Sequence, residues 1–255
     1  MVELIDSHTH ITNEESNVEA YIDDIKLAEE YGVKRAMMVF TSKQELAAYD
    51  GLAPYNHFDF AYGIYPSETT EINEQDFIDL KAELTKRQFK ALGEIGADYH
   101  YFPDNREVQM EIFRRQVMLA DELNLPIIIH ARDCIQDIYD VLKSTPCRRK
   151  GVMHCYSGSL EMAKEFIKLG YYISFSGTVT FKNNRRGVET LLGIDKNCIM
   201  CETDAPFLTP VPLRGQPNKS AYVKHVYEFC AEQLGMDLEE FKTLVKRNYE
   251  RLFGE

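Results

Sequence analysis

Leu125-Pro126-Ile127-Ile128-Ile129-His130 reads as the end of a helix followed by a short β-branched strand. Three consecutive isoleucines leave no side of that strand for water, so it is buried on both faces, as strands are in a parallel sheet covered by helices. Such a strand needs helix-linked parallel neighbours, and the chain supplies them in both directions. Upstream, strand character recurs at Val2 to Ile5, Val33 to Phe40, Phe58 to Ile64 and Ala91-Leu92-Gly93-Glu94. Between these runs Val18, Tyr21, Ile22, Ile25 and Ala28 keep helical spacing up to Gly32, and Ser42 with Glu45 has the spacing of a capping box. Asn73 caps a helix over Glu74 to Lys86, and Val108, Ile112, Leu119, Ala120 and Leu123 line one face of a long helix. Downstream, strands are predicted at Gly151 to His154, Tyr171 to Phe175 and Cys198 to Cys201. Asp133 with Gln136 offers a cap for the helix after the isoleucine strand, and Leu160, Ala163, Phe166 and Ile167 line the next one. Helices from Ser220 to Leu234 and from Leu238 to Leu252 close the chain, the second capped by Asp237 with Glu240.

Strand and helix thus alternate about eight times without linker, repeat or low-complexity segment, the pattern of an α/β (β/α)8 TIM barrel in one domain over residues 1–255. The loop from Pro206 to Lys219, rich in proline and glycine, follows the last strand and would overhang the barrel mouth.

The bulk composition agrees. At 255 residues and 44% hydrophobic content the chain can fill one large core. No apolar run approaches a membrane span, and the N-terminus enters a strand at once, so the expectation is a cytoplasmic protein, taken as a monomer. The six cysteines are sparse for a disulfide scaffold and fit reduced thiols. A net charge of -12 argues against charge-driven binding to duplex nucleic acid, which needs a basic face to displace counterions. It leaves room for a nuclease, because bound divalent ions would themselves be the strongest local positive charges.

Active sites of TIM barrels are built at the C-terminal ends of the strands. Those positions hold His8 and His10 after strand one, Glu94 after strand four, His130 after strand five, His154 after strand six and Asp204 after strand eight. Four of the seven histidines fall on this set, where chance would scatter them. Side chains two apart on a strand share a face, so His8 and His10 can chelate one ion, with imidazole suited to Zn, Mn, Fe, Ni or Co and less to Mg. By the same spacing Asp6 shares their face and would orient a histidine. Four imidazoles and two carboxylates could hold two divalent ions with one carboxylate between them, and the chemistry of such a pair is hydrolysis.

The segments IDSHTH, LGEIGADYH, IIIHARD, GVMHCYSGS, YISFSGTVTFKNN, ETDAPFLTP and RGQPN, in this order and across essentially the whole chain, resemble the TatD family of metal-dependent deoxyribonucleases in the amidohydrolase superfamily. The resemblance implies that His8, His10, Glu94 and Asp204 hold one metal and Glu94, His130 and His154 the other. It also implies Asp204 as general base, Mg or Mn in catalysis, and 3'-to-5' exonuclease activity on single-stranded DNA. Two departures stand out. The family's G-I-H-P after the third strand is Gly63-Ile64-Tyr65-Pro66 here, so a histidine near the substrate phosphate is replaced by Tyr65, which can donate a hydrogen bond but carries no positive charge. In the loop Arg214-Gly215-Gln216-Pro217-Asn218-Lys219-Ser220, the family's acidic-proline pair after Asn is replaced by Lys-Ser.

Around this core, Arg132 either forks onto a substrate phosphate or pairs with Asp133. Lys182 with Asn183, and Arg214, lie on mouth loops, where they would position a nucleic-acid backbone or stay solvated. Tyr99, Tyr101 and Phe102 either pack or stack on bases. Glu202 supports the site from behind Asp204, Asp98 touches substrate or a ligand histidine, and His100 reaches the mouth or the surface. His57 and His225 are structural or exposed. Cys198-x-x-Cys201 is core packing, since an offset of three on a strand points the thiols apart, and Cys155 should face away from the metals. Two other functions fit the same residues: an esterase, lactonase or amidase acting on a small molecule, made less remote by Tyr65, and a non-catalytic metal-bound interaction scaffold, opposed by the complete ligand set.

Overall fold

In a computed structural model, which describes residues 2–10, 18–52, 54, 55, 57–68 and 71–254, eight parallel strands neighbour one another in chain order around one sheet. The strands are β1 (Leu4–Thr9), β2 (Val33–Phe40), β3 (Asp59–Tyr62), β4 (Ala91–Asp98), β5 (Ile127–Arg132), β6 (Gly151–Met153), β7 (Tyr172–Phe175) and β8 (Ile199–Cys201). The helices between and after them are α1 (Val18–Glu30), α2 (Lys43–Leu46), α3 (Tyr49–Leu52), α4 (Glu74–Lys86), α5 (Arg106–Leu123), α6 (Ile135–Ser144), α7 (Leu160–Lys168), α8 (Arg185–Gly193), α9 (Val223–Leu234) and α10 (Leu238–Phe253). Two backbone hydrogen bonds, His10 N to Ala205 O at 2.9 Å and Asp204 N to His8 O at 3.0 Å, join the end of β1 to the chain leaving β8. The sheet is thereby a nearly closed (β/α)8 barrel.

Two apolar layers follow from strand alternation. Ile5, Met37, Val39, Ala61, Ala91, Ile128, Val152 and Met200 fill the barrel interior, while Leu4, Met38, Phe60, Leu92, Ile129 and Ile173 face the helices. Tyr249, Leu252 and Phe253 of α10 pack on the interior layer at the N-terminal ends of the strands. Asn248 donates to the Ile199 carbonyl and Arg149 to the Leu252 carbonyl, which fixes this plug. One end of the barrel is therefore sealed, and chemistry is confined to the other.

The register between neighbouring strands shifts at three places, Leu4/Ile5, Asp6/Thr9 and Leu92/Ile95, and the last two serve the mouth. On β4, Leu92 pairs with Ile127 but Ile95 with Ile129, so one extra residue is inserted at Gly93-Glu94. Leu92 faces the helices, and strict alternation would send Glu94 the same way; the bulge turns it inward. On β1, Asp6 pairs with Ala36 but Thr9 with Met38, and the extra residue at Ser7-His8 turns His8 inward with His10. Asp6, lying before that bulge, stays on the outer side with Leu4. The expectation that Asp6 shares the histidines' face is corrected accordingly.

Most predicted boundaries agree with the structure. Asn73 closes a full capping box with Asp76 on α4, and Asp237 accepts from the Glu239 and Glu240 amides on α10. Ser42 accepts from the Glu45 amide, but Glu45 returns to Thr41, one residue earlier than a capping box requires. Asp133 does not cap α6: its backbone is left-handed at φ 57°, and Cys134 takes the N-cap place without a side-chain bond. Cys198 lies in the 3-10 turn before β8, and Cys201 is fully buried beside Cys230.

Candidate metal centre

Six side chains converge at the open end. His8 and His10 bring their Nε2 atoms to 3.0 Å from each other, 3.5 and 3.3 Å from Oε2 of Glu94, and 3.8 and 3.6 Å from Oδ1 of Asp204. Oε1 of Glu94 faces the opposite way, 2.8 Å from Nδ1 of His130 and 2.6 Å from Nε2 of His154, with those nitrogens 3.2 Å apart. Glu94 thus divides its carboxylate between two nitrogen pairs. Lone pairs this close repel one another unless a cation or a proton lies among them, so each pair with its carboxylates is chemically a cation site.

The far side of two of the rings is pinned by a hydrogen bond and that of a third faces a carboxylate, which selects the nitrogen left for an ion. His10 donates from Nδ1 to the Val39 carbonyl at 3.1 Å. His130 turns Nε2 to Oδ2 of Asp98 at 3.1 Å and so presents Nδ1, unlike the other three. His154 Nδ1 lies 3.3 Å from Oε1 of Glu202, which also accepts the Cys155 amide at 2.6 Å. Nδ1 of His8 is buried without a hydrogen bond, and that ring is held by stacking on His154, with centroids 4.1 Å apart. Asp98 and Glu202 therefore stand behind two of the clustered histidines, His130 and His154.

Electrostatics follow from this crowding. Burial opposes charge on Glu94, but His154, His10 and His130 hold its carboxyl well below the usual range. Burial likewise opposes charge on His10, yet Glu94 and Asp204 push it up to about 9. Against the same burial, Glu94 and Glu202 raise His154 well above the ordinary histidine value, and Asp98 with Glu94 raises His130. Burial and the charge on His154 lower His8, and burial raises Asp204 despite the histidines. Protons and metal ions thus compete for the same nitrogens. His8, His10 and Asp204 form one group of donor atoms within 4.8 Å of one another, and His8, Glu94 and His154 form an overlapping second, so the donor set fits a divalent metal ion.

Asp6 is fully buried and touches no imidazole: it accepts from Thr203 N at 2.9 Å, Thr203 Oγ1 at 2.6 Å and Ser220 Oγ at 2.7 Å, and from the His8 amide at 3.3 Å. It acts on the chain around Asp204 rather than on a ligand ring. The Lys-Ser departure finds its place here as well, because Ser220 reaches Asp6 while Lys219 pairs with Asp24 of α1 at 3.0 Å. Asn218, buried, donates to the Thr203 and Phe207 carbonyls at 2.9 and 2.6 Å and stitches the loop down. Thr203 carried no signal in the sequence, since its role depends on the Asp6 side chain crossing between strands.

Tyr65 meets the His130 ring edge-on at 5.2 Å, and burial with the charges of Glu94, Asp98 and Asp204 keeps its phenol protonated. Arg132 does not pair with Asp133; its guanidinium lies 4.5 Å over the Tyr101 ring, and Asp133 faces His100 instead. Arg214 stacks 3.9 Å over Phe181, and Lys182 and Asn183 are exposed. Tyr99 is buried and donates to Asp137, so it packs. His57 and His225 pair with Glu29 and Glu228, away from the cluster. Cys155 adopts φ 42°, which ends strand alternation, and its thiol lies 3.2 Å from Ser176, close enough to Asp204 and Glu202 for both to raise it. The expectation that it faces away from the site is corrected.

The chain is 37% identical to a Bacillus subtilis protein described as an uncharacterized metal-dependent hydrolase, YabD, over 98% of each chain. It is 34% identical to the similarly described YcfH of Escherichia coli, over 98% of this chain and 95% of that one. Among solved structures, YJJV, a TatD homologue from Escherichia coli, superposes with a TM-score of 0.91 at 27% identity, covering 99% of this chain and 98% of the other. Residues 5–254 match the family described as TatD related DNase. On sequence, barrel and clustered side chains together, the chain belongs to the TatD family.

Proposed function

We propose that this protein is a divalent-metal-dependent hydrolase of phosphodiester bonds, acting as a 3'-to-5' exonuclease on single-stranded DNA. The observation that carries the reading is the division of Glu94 between His8/His10 and His130/His154. His8, His10 and Asp204 with one Glu94 oxygen would hold one ion, and His130 and His154 with the other oxygen would hold the second. Bound there, two divalent ions supply an acidified water and the positive charge a phosphodiester needs. Family membership and the description of YabD and YcfH as metal-dependent hydrolases support the class.

The protein's own groups complete the chemistry. Asp204 is the most solvent-open of the two carboxylates, at 13% against 2% for Glu94, and takes the proton of the attacking water as general base. Tyr65, held neutral, donates a hydrogen bond to a non-bridging substrate oxygen beside His130. Arg132 supplies the only charge-assisted donor proposed at that side.

Single-stranded DNA labelled at its 5' end, incubated with Mg or Mn beside an Asp204→Asn control, tests this directly. A ladder shortening one nucleotide at a time from the 3' end, absent in the control, is the expected result. The neutral Tyr65 favours one other reading, hydrolysis of a small ester, lactone or amide at the same metals. Turnover of such a substrate with no cleavage of DNA under either metal would replace the nuclease reading by that one.

A further inference from the structure

The two most exposed aromatic rings among the described residues, Tyr101 and Phe207, each 62% exposed, are both on loops that leave the site. Exposed apolar side chains are common singly. Ile78, Val108, Met118 and Leu192, the exposed aliphatics on helices α4, α5 and α8, are of that ordinary kind. Tyr101 and Phe207 differ in how they are held. The Phe207 amide donates to the Asp204 carbonyl at 2.9 Å, and its carbonyl accepts from buried Asn218 at 2.6 Å. The next residue, Leu208, is left-handed at φ 57°, with its carbonyl so close to Gly177 that a Cβ there would lie 2.0 Å away. The Tyr101 amide donates to Oδ1 of Asp98 at 2.9 Å, while Oδ2 of the same carboxylate holds His130. Tyr101 is therefore keyed through its backbone to the Asp98 carboxylate behind His130, and Phe207 to the backbone carbonyl of Asp204, while each side chain is left open to solvent.

Charge narrows what such rings are for. A net charge of -12 argues against holding a polyanion by counterion release from a broad basic face, so uncharged contacts must contribute to the grip on a nucleic acid. Stacking on rigid aromatic rings is the uncharged alternative, and it tolerates any base. Arg132, lying over Tyr101, adds one cation beside the phosphate.

We propose that Phe207 and Tyr101 are stacking platforms for nucleobases on either side of the scissile bond, so that the substrate is recognised as a short single strand with unpaired bases. This rests on the phosphodiesterase reading above and extends it from the bond to the groups beside it. A consequence is weak salt dependence of substrate affinity, because few phosphates are neutralised by side chains.

The test compares kcat/KM for short thymidine strands bearing either thymine or an abasic tetrahydrofuran at the two 3'-terminal positions. Wild type prefers the thymine strand, and Phe207→Ala and Tyr101→Ala each reduce that preference by roughly tenfold, with Phe207→Tyr restoring it. The chain has no tryptophan, so Phe207→Trp places a single, selectively excitable tryptophan at the platform. Its emission should be quenched by thymidine monophosphate and not by deoxyribose 5-phosphate. An unchanged thymine preference in both alanine variants, with equal quenching by the two ligands, overturns the platforms while DNA cleavage by wild type leaves the nuclease reading intact. If wild type cleaves neither strand, the phosphodiester reading falls, and selective or equal quenching of the tryptophan variant alone decides for or against the rings.

Discussion

Gly96→Ala should disable the metal centre without touching a ligand. Gly96 has φ 141°, a conformation closed to other residues, and a Cβ there would lie 2.0 Å from the carbonyl oxygen of His130. Because real Cβ atoms keep at least 3.0 Å from such neighbours, β4 and β5 must separate by about 1 Å at the residue that carries the His130 ring. Forcing the backbone costs about 1–3 kcal/mol and the overpacking a further ~1–3 kcal/mol. At about 2–4 °C per kcal/mol for a chain of this size, the melting temperature should fall by roughly 5–20 °C. A displacement of about 1 Å in a catalytic group is itself enough for a loss on the order of a hundredfold in rate. Gly235→Ala is the matched control: φ is 61° at the end of α9, but nothing lies within 4 Å of a Cβ, so only the backbone term of about 1–2 kcal/mol applies. Thermal melts, bound metal by elemental analysis and DNA hydrolysis would be measured on both. Full metal content in Gly96→Ala, with melting alongside the Gly235 variant, would refute the coupling of this glycine to the His130 ring.

Asn218→Ala leaves the Thr203 and Phe207 carbonyls without their shared donor and should cost about 2–4 kcal/mol in urea unfolding, whereas Lys219→Ala, losing a half-exposed pair with Asp24, should cost under about 1 kcal/mol; equal midpoints for the two would contradict the stitching role. Glu94→Gln removes the charge shared by both nitrogen pairs, and bound metal per chain should fall below the wild-type content; undiminished loading would mean metal binding does not depend on that carboxylate. His10, raised to about 9, holds a proton at neutral pH in the metal-free protein, so an ion must displace it. The sign is that affinity weakens as pH falls below that value, by about tenfold per unit for each proton released. Calorimetric titration at neutral pH in two buffers of different ionisation heat should give different apparent enthalpies, and identical ones would show that no proton leaves.

The barrel was legible because it rests on local patterns that survive any context. Ile127 to Ile129 demand cover on both faces, Asn73 and Asp237 mark helix starts that the structure keeps, and α10 extends one residue past its predicted end. Boundaries failed where a backbone leaves the ordinary regions, as at Asp133 and Cys155, whose positive φ values break the rules for capping and alternation that the prediction used. The α8 helix was not predicted: it is short, begins with Arg185-Arg186-Gly187, and lacks an apolar stripe long enough to register.

The convergence of the six side chains was legible for a subtler reason. Strand ends were the right place to look, but alternation alone would have turned both His8 and Glu94 toward the helices, and each faces inward only through a bulge. Gly93 beside Glu94 was a usable sign, since glycine inside a strand marks a bulge or a close approach, and a Cβ there would meet Ile128 at 2.6 Å. Nothing comparable marks Ser7, so the misplacement of Asp6 was unavoidable from sequence. That misplacement has a physical consequence. Because Asp6 binds Thr203 and Ser220 on either side of the Asp204 loop, the family departure at Ser220 and the geometry of Asp204 are one question. Asp204 itself is strained at φ 55°, a conformation that persists only when its surroundings impose it. The Asp6 carboxylate and the Asn218 amide, both gripping Thr203, hold it there together with the bonds of Asp204's own amide to the His8 carbonyl and of its carbonyl to the Phe207 amide.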